Sequence, residues 1–260
     1  MGRIIAISNQ KGGVGKTTTA INLAASLAAA DMRTLLVDLD PQANATSGLG
    51  ARKDSFERST YHSMVFGEPL ESILLPTELE SLFLAPASRE LVGITVELAQ
   101  EQGRDRQLKR LLEAVAQDYD FVLIDCPPSL NLLTVMALVL AKSLIVPLQT
   151  EFFALEGLSQ LIKTIDRIKV NLNPELLVRG VLLTMYDKRN KLSAQVDADA
   201  RQFLKNKVYQ TVIPRNVRLS EAPSHGVPVL IYDKLCSGSK AYLSFTEEFL
   251  KQENIMDSAA

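Results

Sequence analysis

The amino-acid sequence predicts an α/β protein, with a mostly parallel twisted sheet and helices on both of its faces. Three observations carry that expectation. Short apolar runs rich in β-branched residues alternate with longer segments of helical period, the pattern of repeated strand–helix–strand units. Several runs are apolar throughout, as strands buried on both faces must be. A glycine-rich turn joins the first run to the first helical segment. With 260 residues, 47% of them hydrophobic, the chain can bury a large core, and residues 1–260 are expected to form a single domain.

The candidate strands occupy residues 4–8, 34–38, 81–85, 121–125, 143–147 and 177–184. Between the first two, Ala20, Leu23, Ala24, Leu27 and Ala28 recur at helical spacing and give a first helix one apolar face. Leu155, Leu158, Leu161, Ile162, Ile165 and Ile168 do the same for a later helix. Residues 51–76 mix charge, Gly67 and two prolines with weak periodicity, and read as a peripheral insertion. Residues 253–260 read as a flexible tail.

The turn after the first strand is Lys11-Gly12-Gly13-Val14-Gly15-Lys16-Thr17-Thr18. Glycines let the backbone curl until successive N–H groups face phosphate oxygens, and the helix that follows adds unpaired N–H groups and the positive end of its dipole. Lys16 brings a charge to the outer phosphates, and the Thr17 hydroxyl is a magnesium ligand. The ordinary phosphate-loop pattern needs glycine where Gln10 stands, so a deviant form with a second lysine fits instead. Two cations five residues apart repel unless polyanions neutralise both. One loop needs only one lysine for its own phosphates, which points Lys11 to another subunit's nucleotide.

Two acidic motifs complete the site. The strand at 121–125 ends in Asp125, at the carboxyl edge where ligands of open α/β sheets bind, and a magnesium-side role suits it. An aspartate there is also a common turn residue, and the loop upstream decides between the two. The strand at 34–38 runs into Asp38-Leu39-Asp40-Pro41-Gln42. Alternation places Asp38 and Asp40 on one side, where two carboxylates repel unless a cation or a water lies between them. Asp38 is assigned nearer the metal and Asp40 to aligning the attacking water, which suffices for slow phosphoryl transfer to water.

Composition narrows the alternatives. Cys126 and Cys236 lie far apart with no CxxC pair, and the histidines are only His62 and His225, which argues against disulfide, zinc and iron–sulfur chemistry. The first residues lack the basic start and small-residue cleavage site of a secretory signal, and no apolar run approaches about 20 residues. A cytoplasmic protein is expected.

The set Lys11 to Thr18, Asp38 to Gln42 and Asp125-Cys126-Pro127-Pro128-Ser129 resembles the ParA/MinD branch of deviant Walker-type ATPases. Residues 151–158 and 214–223 resemble the chromosomal ParA (Soj) group specifically, so the likeness spans nearly the whole chain. Asn131 and Met136 depart from it, standing where the family usually has glycine and asparagine. The resemblance implies a three-layer P-loop NTPase fold and ATP with Mg2+ as cofactors. It implies an ATP-dependent sandwich homodimer in which Lys11 reaches the partner's phosphates and hydrolysis through Asp40 releases the pair. Gly12, Gly13, Val14, Gly15, Lys16, Thr17 and Thr18 would surround the phosphates, with Pro214 and Asn216 bordering the adenine. A ParB-type centromere-binding protein is the implied stimulator of a weak ATPase.

The charge map agrees with a DNA partner. The whole chain carries −2, yet residues 163–240 hold 14 Lys and Arg against 7 Asp and Glu, leaving 14 basic and 23 acidic residues elsewhere. A locally basic surface binds phosphate backbones without base readout, and salt weakens it steeply. By the resemblance, Arg189 and Arg218 are the leading DNA contacts, with Lys188 and Arg215 next, and the protein would be nucleoid-associated. The alternative is a MinD-like membrane switch, which needs a basic amphipathic C-terminal helix. Here Glu247, Glu248, Glu253 and Asp257 face the single Lys251, a composition that an anionic bilayer repels, and no membrane partner is expected.

Overall fold

Among the described residues, seven strands form one sheet: β1 (Arg3–Ile7), β2 (Thr34–Asp38), β3 (Leu75–Pro76), β4 (Leu82–Ala85), β5 (Phe121–Asp125), β6 (Ser143–Gln149) and β7 (Leu177–Thr184). Their spatial order is β3-β4-β2-β5-β1-β6-β7. All pairs are parallel except β3 with β4 at one edge. The structure is a computed structural model that describes residues 2–52 and 55–253.

Alternation along each strand sends neighbours to opposite faces. Ile4, Ala6, Leu35, Val37, Val122 and Ile124 enter one core, and Ile5, Ile7, Leu36 and Leu123 enter the other. Helices cover both. The first layer includes α3 (Thr60–Phe66), the short α4 (Ile94–Glu97), α5 (Gln107–Val115), α6 (Leu132–Leu140), α7 (Ala154–Asn171) and α8 (Lys191–Leu204), while the short α2 (Asn44–Gly48) sends Ala45 into the second core. The second packs α1 (Lys16–Ala28) against α11 (Ser237–Gln252), with the short α9 (Val217–Glu221) and α10 (Val229–Tyr232) beside them.

The fold is the expected three-layer α/β arrangement, and its differences from expectation are local. The first helix is buried on nearly every side, Ile21, Asn22, Ala25 and Ser26 included, because α11 covers the face that one-sided periodicity would leave wet. Within residues 51–76, Met64, Leu70 and Ile73 are buried in the main core, and Leu75–Pro76 adds the antiparallel edge strand, so this segment is a packed part of the domain. Of the tail read over 253–260, only Glu253 lies within the described residues. It is held rather than free, pairing with Arg3 at 3.3 Å and Arg179 at 2.5 Å.

Strand order reverses at β1, which lies between β5 and β6. At such a switch point the loops leave the sheet in opposite directions and open a crevice at the carboxyl ends of the strands.

Candidate functional site

That crevice holds residues 9–18. Asn9 anchors the start of the loop, donating from Nδ2 to the Pro147 carbonyl at 2.8 Å and accepting from the Lys11 N–H at 3.1 Å. Gly13 and Gly15 take φ of +73° and +87°, values that side chains resist, so the chain can turn sharply into α1. The Thr184 hydroxyl at the end of β7 donates to the Val14 carbonyl at 2.8 Å and fixes the far side. No side chain caps α1 and no acid lies in its first turn. The N–H groups of Lys16, Thr17 and Thr18 precede the first intrahelical bond, from Thr19 to the Gly15 carbonyl, which leaves a positive cradle suited to an anion. Lys16 is buried, and its ammonium donates to the Lys11 carbonyl at 2.8 Å. Burial lowers its pKa, against the raising pull of the carboxylates of Asp125 and Asp40.

Asp38 and Asp125 end adjacent strands in register, and both are fully buried. Their situations differ. The Asp38 carboxylate accepts from the Thr46 N–H at 2.8 Å, the Thr46 hydroxyl at 2.7 Å and the Asp40 N–H at 3.0 Å. Burial pushes it up to about 6 even against these bonds. Both oxygens of Asp125 lack a partner at hydrogen-bond geometry, although the Thr17 hydroxyl lies close enough to act on its titration. Burial first, then the Asp38 charge, raise Asp125 well above the ordinary carboxylate range. A buried pair of unsatisfied acceptor atoms beside a threonine hydroxyl is the donor set a hard divalent cation takes. Asp40 is buried, and its Oδ1 accepts from the Gln42 N–H at 2.9 Å.

Lys11 lies outside this cluster. Its side chain is 43% exposed, and its ammonium pairs with Glu151 of the same chain, just past β6. In the single chain the second lysine is therefore held by a carboxylate of its own chain.

Pro214 and Asn216 meet the loop across a cavity of 450 Å³, whose walls also include Gly15, Thr18, Met185 and Tyr242. The Asn216 side chain caps α9, accepting from the Arg218 N–H at 2.8 Å, and donates to the Ser237 hydroxyl at 2.8 Å. Sequence reasoning missed Tyr242, whose hydroxyl pairs with that of Thr19 at 3.1 Å; 223 positions separate the two and no motif links them. Lys188, Arg189 and Arg215 line an open groove of 730 Å³ on the neighbouring surface, together with Lys240. Lys240 closes the basic stretch 163–240, and that excess was its only sequence signal. Arg218 does not line the groove; it pairs with Glu221 at 2.7 Å and Asp233 at 3.5 Å. Arg189 pairs with Asp187 at 3.1 Å and is otherwise bare to solvent.

A family model described as "AAA domain" matches residues 2–178. The chromosome partitioning protein ParA of Myxococcus xanthus is 51% identical over 97% of this chain and 89% of its own length. The sporulation initiation inhibitor protein Soj of Bacillus subtilis is 51% identical over 95% of this chain and 98% of its own. The chain belongs to the ParA/MinD family of P-loop ATPases.

Solved ParA/MinD-like structures agree with the fold. The septum site-determining protein MinD from Pyrococcus horikoshii, complexed with Mg-ADP, superposes with a TM-score of 0.81 at 25% identity, covering 98% of each chain. A crystal structure of cobyrinic acid a,c-diamide synthase from Mycobacterium smegmatis with bound ATP analog and magnesium gives 0.86 at 35%, covering 98% of this chain and 96% of that one. The matched family region ends within β7. Most of the residues around the 450 Å³ cavity and the basic groove therefore fall beyond that region, in the part of the chain that the longer ParA and Soj alignments and the solved structures also reach. Among the described residues no helix is long and apolar enough to cross a membrane.

Proposed function

We propose that this ParA/MinD ATPase partitions chromosomal or plasmid DNA, pairing two copies over bound ATP and holding DNA without base readout in that state. ATP and magnesium are its cofactors. The N–H groups of residues 12–18 and the Lys16 ammonium hold the phosphates. Thr17 and Asp125 would hold magnesium, which supplies charge neutralisation on the phosphate oxygens. Asp38, already bonded to Thr46 and Asp40, sets the shape of the loop that carries Asp40. Asp40 orients the water that takes the γ-phosphoryl group, leaving ADP and phosphate. Lys11 exchanges Glu151 for the triphosphate of the other copy. Pro214 and Asn216 border the base.

One observation carries the link to DNA. Arg215 lines both the 450 Å³ cavity and the basic groove, so the nucleotide and a polyanion would share a wall. Two weak grooves joined by ATP gain effective concentration on one duplex, so pairing controls retention. A ParB-type protein on its centromere-like sites would stimulate the slow hydrolysis that ends it. The two relatives at 51% identity support partition over amide formation, the activity implied by the name of the 35% identical mycobacterial protein. The membrane alternative finds less support. Phe245, Phe249 and Leu250 of α11 are buried against the domain and are not free to enter a bilayer.

Co-sedimentation of the purified protein with DNA tests this reading, run with ADP, with ATP and without nucleotide, beside anionic liposomes. Retention on DNA only with ATP is expected. Retention on liposomes, or DNA binding indifferent to nucleotide, would overturn it.

A further inference from the structure

Asn216, on one wall of the 450 Å³ cavity, is held from two directions. Its Oδ1 accepts from the Arg218 N–H at 2.8 Å, a local bond that caps α9. Its Nδ2 donates at 2.8 Å to the Ser237 hydroxyl, 21 positions away on the first residue of α11. Ser237 lies outside the cavity and lines the basic groove instead. The residue after it fixes how near α11 begins to α9. A Cβ at Gly238 would stand 2.7 Å from Cγ of Leu219, itself a wall of the cavity, so only glycine allows this approach.

A primary amide offers two acceptor lone pairs and two N–H donors. Arg218 takes one lone pair and Ser237 one N–H, which leaves one of each for a ligand. The backbone donor decides which end of the amide is oxygen, because the reverse orientation would set N–H against N–H. It does not fix the plane of the amide, whose terminal torsion is broad. The Ser237 hydroxyl supplies that second point. One free acceptor and one free donor in a fixed plane match adenine, through its 6-amino group and the ring nitrogen beside it. On the same edge guanine carries a carbonyl and a ring acceptor, and the amide oxygen would face an acceptor. A site built to pair a polar group rejects the analogue that leaves that group unpaired.

We propose that Ser237 is a positioning residue that sets the preference for adenine over guanine, by holding the plane of the Asn216 amide at the base. The inference rests on the reading that Asn216 borders the base, and adds the residue that makes this border selective.

Competition against a fluorescent ATP analogue, with magnesium and without DNA, measures affinity for ATP, GTP and tripolyphosphate in wild type, Ser237→Ala, Ser237→Thr and Asn216→Asp. Wild type should prefer ATP. Ser237→Ala is expected to lower the ratio of ATP to GTP affinity by about three- to tenfold, the range of one net hydrogen bond. Its affinity for tripolyphosphate, which has no base, should stay within about twofold of wild type and its melting temperature unchanged, since Ser237 is exposed. Ser237→Thr keeps the hydroxyl and should restore the ratio. Asn216→Asp keeps the cap on α9, loses both N–H donors and should turn the preference toward GTP, whose ring donors the carboxylate accepts. An unchanged ratio in Ser237→Ala beside an altered one in Asn216→Asp would overturn this inference and leave Asn216 at the base. If neither variant alters the ratio, the reading beneath falls too. Equal losses for ATP, GTP and tripolyphosphate in Ser237→Ala would also overturn the inference, because the hydroxyl would then hold the shape of the site without choosing the base.

Discussion

At the scale of single residues, Asp125 shows most clearly how the site conflicts with the fold around it. A fully buried carboxylate with no hydrogen-bond partner is destabilising, and its pKa is raised by burial and then by the charge of Asp38. The native state therefore keeps a proton that the unfolded chain releases near the ordinary value of about 3.9. Native protein binds more protons across that interval, so this contribution to stability is fully present below the unfolded value and lost as pH rises through the native one. Asp125→Asn keeps the shape and removes the charge. Urea titration of the nucleotide-free variant at pH 7.5 should show a gain of about 1–3 kcal/mol and a flatter pH dependence. The same variant should lose magnesium-dependent binding of a fluorescent ATP analogue, a trade of activity for stability. Asp40→Ala acts later in the cycle. Light scattering should find its ATP-bound pair persisting, with phosphate release reduced roughly a hundredfold, the usual scale for removing a positioned base. The motifs made Lys16, Asp40 and Asp125 legible before any coordinates, because strand ends and glycine turns leave signatures in a few adjacent letters. The difference between Asp38 and Asp125 was not legible, since it depends on Thr46 folding back from α2.

At the scale of elements, what could be read was what is local. The apolar runs at 34–38, 121–125 and 177–184 coincide with β2, β5 and β7, and the run at 4–8 differs from β1 by one residue at each end. β2 and β5 are buried at every position and, Thr34 apart, are apolar up to their terminal acids, which marks their limits, whereas β7 is an edge strand whose first three residues, Arg179 among them, are exposed or half-buried. β3 is two residues long, includes Pro76 and exists only by pairing with β4, so no periodicity announces it. The all-round burial of α1 was equally hidden, because α11, which covers it, begins more than 200 residues later. A similar long-range tie holds the phosphate loop. Thr184 lies 170 positions from Val14, whose carbonyl it bonds, and its methyl group is 3.7 Å from where a Cβ of Gly15 would stand. Thr184→Val keeps the packing and deletes the bond. Thermal unfolding should show a loss of about 1 kcal/mol, and nucleotide affinity should fall severalfold as the loop loosens. An unchanged affinity would mean that the glycine turn holds its shape without β7.

At the scale of the whole molecule, a net charge of −2 conceals a basic surface on an acidic body. The sequence could show the imbalance but not its geometry. Lys188, Arg189, Arg215 and Lys240 share one groove, whereas Arg218 lies off it with Glu221 and Asp233 as neighbours. If DNA spans both, the two arginines must leave their acidic partners for phosphates, and salt weakens the new contacts by reducing the gain from counterion release. Binding then falls linearly on a double-logarithmic plot against salt, with a slope of about −0.9 for each phosphate neutralised. Arg189→Glu with Arg218→Glu, made on the Asp40→Ala chain so that the ATP-bound pair persists, removes two cations per copy. Fluorescence anisotropy with a labelled random duplex should show retention lost at physiological salt. At low salt, single neutral variants Arg189→Ala and Arg218→Ala should each flatten the slope by about one for every phosphate contact removed, roughly two per pair. Light scattering should find the pair itself intact, because neither arginine adjoins Lys11 or Glu151 in the chain. If Arg218→Ala leaves the slope unaltered while Arg189→Ala changes it, the DNA follows the groove alone, and Lys240 takes the place that Arg218 was assigned.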